Sequence, residues 1–216
     1  NNLAEVCDFT TLEPVFEAIK GVKATLPKDI PLIGFAGGPW TVLTYMIEGK
    51  GAKGKGHLKS LKLYLQNPSL FQSLMDRVIK ATSDYLGYQI EAGADAIQIF
   101  ESWASSVPTS LRGALLYDPL SRIIGTLKKR FPETPVLLFS KGLPPEALLE
   151  LRLRTRPDAM AYDASLSPSL IAEQACEAIQ TGPDPSFLVA GGAALRQEVR
   201  CYKEAFQGRP YIFNLA

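Results

Sequence analysis

The sequence predicts an α/β protein built on parallel strands, and two observations carry that prediction. Short apolar runs bounded by turn residues alternate along the chain with longer segments of three-and-four apolar spacing. The runs are apolar throughout rather than apolar on every second residue, as expected of strands covered on both faces. Strand–helix alternation of this kind implies parallel βαβ units.

The first segment places Leu12, Val15, Phe16, Ile19, Val22 and Leu26 at helical spacing, and Pro27 and Asp29 end it. Residues 31–38 (PLIGFAGG) read as a buried strand running into a glycine turn. Pro39 opens a helix over 40–49. The stretch 49–56 is too rich in Gly and Lys for regular structure and reads as a mobile loop. Phe71, Leu74, Val78, Ala81, Tyr85, Tyr88 and Ala92 define one long helix, opened by Asn67-Pro68 and closed near Gly93. Residues 94–100 form the second strand. Leu120, Ile123, Ile124, Leu127 and Phe131 mark another helix, and 135–139 (PVLLF) the third strand. A helix over 146–154, a weak strand over 158–162 and a helix over 168–179 follow. Leu195, Val199, Tyr202 and Phe206 mark the last helix, and 211–215 the fifth strand.

No Pro- or Ser-rich linker and no repeat divides residues 1–216, so one domain is expected. Two architectures fit: a doubly wound open sheet, or a (β/α)8 barrel lacking part of its wall, since a full barrel takes about 250 residues. Hydrophobic residues make up 46% and charged residues 21% of the chain, the balance of a globular protein. Lys plus Arg is 23 against Asp plus Glu 22, so the basic excess of a nucleic-acid binder is missing. No apolar run nears the roughly 18 residues of a membrane span, and residues 1–9 lack a signal-peptide pattern. A chain opening on Asn1 is expected to be part of a longer one.

Cys7, Cys176 and Cys201 are odd in number and far apart, which argues for reduced thiols rather than a disulfide framework or cysteine zinc site. His57 is the lone histidine and sits beside a Gly/Lys run. It is expected to be a solvated loop or helix-start residue, not a catalyst.

Ligands of parallel α/β folds meet the carboxyl ends of the strands. That rule selects Trp40, Thr44 and Tyr45; Glu101, Ser102 and Trp103; Ser140 and Lys141; Asp163; and Asn214. Each also has a structural reading. Glu101 or Ser102 would cap the segment that follows, and Asp163 the helix after Pro168. Trp40, Phe100 and Trp103 would be core, and Lys141 a solvated charge. The GFAGG turn lacks the spacing of a nucleotide fingerprint.

At these segments the sequence resembles the uroporphyrinogen decarboxylase family. Residues 30–49 (IPLIGFAGGPWTVLTYMIEG) and 89–104 (QIEAGADAIQIFESWA) are similar to two of its motifs, with Glu101 where many members carry Asp. PVLLFSKG, DAMAYDASLSP, GPDPSFLVAGG and YIFNL resemble later ones, though the family often has Asp-Trp at Asp163-Ala164. The resemblance implies a (β/α)8 barrel, present here as an incomplete one, and a reaction without cofactor or metal. Acetate side chains of uroporphyrinogen III leave as carbon dioxide, giving coproporphyrinogen III for haem and chlorophyll synthesis. It places the family's catalytic tyrosine on Tyr45 and its serine on Ser102, with Phe35 and Phe100 lining the substrate cleft. It further implies a homodimer in the cytoplasm or a plastid.

The family's arginines and aspartate belong to an upstream segment and its histidine to a continuation of the last strand, none of which this sequence includes. The chain alone is therefore expected to be inactive or nearly so. The alternatives are a zinc-dependent corrinoid:thiol methyltransferase of the same superfamily and a non-catalytic porphyrin-binding homologue. One His, three scattered Cys and no His-x-Cys after a strand disfavour the zinc enzyme.

Overall fold

A computed structural model describes residues 7–49, 56–175 and 177–215. The predicted loop at 49–56, apart from its two end glycines, and Cys176 lie outside the described residues. After a 3-10 turn, α1 spans Glu13–Thr25, with Glu13 in its first turn and Lys23 in its last, the arrangement that suits the helix dipole. Strand β1 (Ile33–Gly37) leads into α2 (Pro39–Glu48), which opens on proline and stops at Gly49, φ 75°. Then come α3 (Leu58–Gln66) and the long α4 (Pro68–Glu91), whose first turn is capped by the Asn67 side chain accepting from Leu70 N at 3.2 Å.

Strand β2 (Ala96–Glu101) is followed by short turns, a π-turn over Gly113–Tyr117 and α5 (Asp118–Arg130). The remainder alternates: β3 (Val136–Ser140), α6 (Pro145–Thr155), β4 (Ala159–Ala161), α7 (Pro168–Gln174), β5 (Ala178–Thr181), α8 (Pro185–Ala190), α9 (Gly192–Ala205) and β6 (Tyr211–Phe213).

Among the described residues the sheet therefore has six strands where the sequence predicts five. The helix expected over 168–179 ends at Gln174, and β5 takes up its tail. Helices α3 and α8 were also not predicted.

The strands run in the order β1-β2-β3-β4-β5-β6, every pair parallel. A doubly wound sheet would reverse its order at a switch point; this one winds in a single direction, as a barrel wall does. It also curls. Gln98 of β2 donates to Gln180 of β5 at 2.6 Å, across two intervening strands. In a flat sheet three strand spacings would hold them about 14 Å apart. The doubly wound alternative is thereby set aside in favour of the barrel, seen here as an open arc.

Alternation along each strand sorts the side chains. Ile97, Ile99, Leu138, Met160 and Ile179 are fully buried beneath the helices, each worth about 1.5–3 kcal/mol of apolar burial. Phe35, Gln98, Phe100, Leu137, Phe139 and Gln180 point to the concave side. At the amino ends of the strands, two carboxylates repeat one device. Asp95 accepts from Leu32 N at 2.7 Å and pairs with Lys23 at 2.6 Å. Asp158 accepts from Val136 N at 2.8 Å and pairs with Lys128 at 2.9 Å. Each ties a strand's start to its neighbour and to a helix. No helix among the described residues is long and apolar enough to cross a membrane.

The Gln98–Gln180 bond gives a first prediction. Gln98→Ala strands a buried amide and is expected to cost about 1–3 kcal/mol. Replacing both glutamines by leucine should cost less than the single change. Urea melts of both variants check the ordering.

Candidate active site at the strand tips

Three phenylalanines line the concave face toward the carboxyl ends. Phe35 meets Phe100 edge-on at 5.9 Å, and Phe100 meets its register partner Phe139 at 5.8 Å. Phe35 is 63% exposed although it lies in a strand. Its backbone is pinned from behind: Gln89 of α4 accepts from Phe35 N and donates to Phe35 O, both at 2.9 Å. Gly34 leaves room for that amide, since a Cβ there would stand 2.6 Å from Gln89 Oε1. An open aromatic shelf on a fixed strand offers an apolar face against which the rings of a ligand can rest.

Tyr45 projects from the second turn of α2 and is 48% exposed. Its ring packs on Trp103 at 6.2 Å, one residue beyond the half-buried Ser102. Tyr45, Phe35, Phe100 and the Ser102 segment thus sit at the same end of the sheet. Phe139 was missed by the sequence reading, though its signal was present: strand alternation places it level with Phe100.

Other candidates sort differently. Trp40 is core. Thr44 is buried and donates to Thr41 O within its own helix. Lys141 and Asn214 are exposed. Ser140 is buried, and its hydroxyl has no hydrogen-bond partner among the described residues. Asp163 does not cap α7, because Ser167 does that by accepting from Leu170 N. Asp163 instead accepts from Gly142 N at 2.7 Å and from Ser165. Burial pulls its acidity one way, but these bonds and Lys141 hold its carboxyl below the usual range.

His57 is a helix-start residue, as predicted, but it is not solvated: it is 2% exposed. It lies edge-on to Trp103 at 5.1 Å and to Trp40 at 6.0 Å. The Gly/Lys run before it hid that burial. Its Nδ1 is 2.8 Å from Ser106 Oγ. Ser106 donates to Trp103 O and accepts from Trp40 Nε1, so its one proton is committed. His57 must therefore donate from Nδ1, and it cannot activate Ser106 as a nucleophile. Burial holds its pKa below the usual value, partly opposed by Glu48.

Glu101 is fully buried and faces the opposite way from Phe100, into the start of α2. It does not cap the segment after it. Burial raises its pKa to about 7, despite hydrogen bonds from Thr41 and Trp40 that favour the charge. A carboxyl whose folded pKa exceeds its unfolded value of 4.5 contributes stability that is present at low pH and lost as pH climbs toward about 7. Glu101→Gln removes this dependence. The melting temperature of the variant, relative to the native protein, is expected to be more favourable at pH 8 than at pH 5.

Among the described residues, no three His, Cys, Asp or Glu side chains converge as metal ligands. A separate groove of about 450 Å³ lies among Val42, Met46, Leu74 and Val78, with Arg77 and Asp84 also in its lining.

A singly wound parallel wall with an aromatic shelf at its strand tips defines an α/β domain of the barrel type. The sequence profile of the uroporphyrinogen decarboxylase (URO-D) family matches residues 1–216, and the chain belongs to that family. A uroporphyrinogen decarboxylase of Cereibacter sphaeroides is 40% identical over 208 residues, covering 95% of this chain and 60% of the relative. One from Jannaschia sp. is 38% identical over 207 residues, with the same coverage of 95% and 60%. The chain thus spans about 60% of the length of these relatives. Among solved structures, a methyltransferase from Methanosarcina mazei superposes with a TM-score of 0.78 at 18% identity, covering 94% of this chain and 57% of that one. That likeness bears on the fold alone.

Proposed function

We propose that the protein is a carboxy-lyase that converts uroporphyrinogen III to coproporphyrinogen III without a cofactor. The observation that carries this reading is the shelf of Phe35, Phe100 and Phe139, with Tyr45 and Ser102 at the same strand tips, in a chain of this family.

The chemistry suits such a site. Protonation of a pyrrole at a ring carbon creates an iminium-like cation. The bond from the acetate methylene to its carboxylate then breaks, carbon dioxide leaves, and the electron pair neutralises the cation. A second proton converts the exocyclic methylene into a methyl group, and the ring carbon gives back the first proton, restoring the pyrrole, so the net uptake is one proton. The ring is its own electron sink, so the protein's tasks are to hold the macrocycle, stabilise the cation and deliver protons. Aromatic faces stabilise a cation beside them. Tyr45 is assigned as a catalytic hydroxyl and Ser102 as a hydrogen-bond partner of the substrate. Phe35 and Phe100 are assigned to the macrocycle's face. Action as a single barrel domain, as a homodimer and in the cytoplasm or a plastid belongs to the same proposal.

The test is incubation of the full-length protein with uroporphyrinogen III under reducing conditions. Coproporphyrinogen III is the expected product. Tight porphyrin binding without turnover would favour the non-catalytic homologue instead.

A further inference from the structure

Helix α2 carries Tyr45, yet it has no cap of its own: Gly38, the residue before it, has no side chain to offer. The cap comes from the neighbouring strand. Glu101, at the tip of β2, accepts from Trp40 N at 3.1 Å and from Thr41 N at 2.7 Å, and also from the Thr41 hydroxyl. These are donors of the first helical turn, which otherwise lack partners. Backbone bonds seat both parties: Gly38 N donates to Phe100 O at 2.8 Å, and Lys141 N to Glu101 O at 3.1 Å.

The clamp closes on itself. Thr41 Oγ1 also accepts from Trp103 N at 3.4 Å. Tyr45 lies four residues after Thr41, on the same helix face. Its ring rests on Trp103, two residues after Glu101. Glu101, Thr41, Tyr45 and Trp103 thus form one circuit between the start of α2 and the tip of β2.

We propose that Glu101 is a positioning residue, which clamps the first turn of α2 to the tip of β2 and thereby fixes Tyr45 against Trp103 at the mouth of the site. The effect on turnover rests on the function proposed above; the effect on geometry does not.

No ion pair compensates the carboxyl among the described residues. Helix α2 brings Trp40 and Thr41 to it, and β3 brings Ser140 in register. Nearby titratable groups act elsewhere: His57 interacts with Glu48, and Lys141 with Asp163. Only ionised Glu101 puts a full negative charge at the positive end of α2. The clamp therefore tightens as pH rises through neutrality, at the expense of stability noted above.

The test uses full-length protein labelled with fluorotryptophan, with the Trp103 resonance assigned by Trp103→Phe. In the native protein that resonance is expected to titrate with a midpoint near pH 7. The titration should vanish in Glu101→Gln, return in Glu101→Asp and persist in His57→Gln. Circular dichroism melts confirm that each variant is folded. Glu101→Gln is expected to lower kcat about tenfold with little change in KM. It should also flatten the rise of kcat with pH, and Glu101→Asp should recover most of the loss. A Trp103 titration that survives Glu101→Gln, or disappears only in His57→Gln, overturns the proposal. If the resonances behave as expected but no variant or native protein decarboxylates, the clamp stands and the proposed reaction falls.

Discussion

Tyr45→Phe is expected to reduce porphyrinogen decarboxylation on the order of 10²-fold, the scale of a lost proton-transfer group. The hydroxyl is the only group removed. Tyr45 is 48% exposed, and none of the described residues hydrogen-bonds its hydroxyl. Its ring contact with Trp103 at 6.2 Å survives in phenylalanine. The melting temperature should therefore hold within about 2 °C, corresponding to no more than about 1 kcal/mol. Stopped assays of kcat and KM alongside a thermal melt separate the two effects. A folded variant that keeps at least half of the native kcat would remove Tyr45 from the chemistry.

Gly38→Ala should show the largest loss of stability. The backbone there is φ −67°, ψ 161°, which any residue adopts, so the difficulty is purely one of space. A Cβ at Gly38 would run into Glu101 Oε2, and it would stand 2.8 Å from Glu101 Cδ and 3.1 Å from Glu101 Cβ. Glu101 cannot retreat without uncapping α2. Overpacking of this kind costs about 1–3 kcal/mol, and the lost cap adds about 1 kcal/mol more. Gly21→Ala is the control. It lies in exposed α1 with nothing near its Cβ position, so it should gain about 0.5–1 kcal/mol. Denaturant midpoints of the two variants are expected to move in opposite directions. A Gly38→Ala protein as stable as the native one would mean that Glu101 is not held where the clamp requires.

The elements legible in the sequence were those with punctuation. Strands β1, β2 and β3 are predominantly apolar and bounded by Pro, Gly or Asp, and α2 and α4 open on Pro39 and Asn67-Pro68. Strand β5 has only Ile179 as a large apolar residue and no turn residue before it, so it read as the tail of α7. Helix α3 has helical apolar spacing at Leu58, Leu61 and Leu65, but it is short and follows the Gly/Lys run without a capping residue, so it lacked the punctuation that marked α2 and α4.

Within the candidate site, strand-end logic found Tyr45, Ser102 and Trp103, and the family resemblance added Phe35 and Phe100. Neither identified what Glu101 does. A carboxylate after an apolar strand faces the mouth or the helix layer depending on one step of strand phase. That phase was decided by Ile97 and Ile99, which turn the odd positions of β2 inward beneath α2 and α4. His57 was misjudged for a related reason: Trp40, Trp103 and Ser106, which bury it, are distant or irregularly spaced in sequence.

The decisive measurement is a structure of the full-length protein with coproporphyrinogen III bound. It should show the tetrapyrrole lying on Phe35 and Phe100, with Tyr45 and Ser102 in hydrogen-bonding reach of its polar atoms. A macrocycle seated instead in the groove between Met46, Leu74 and Val78, with the strand tips empty, would contradict the account.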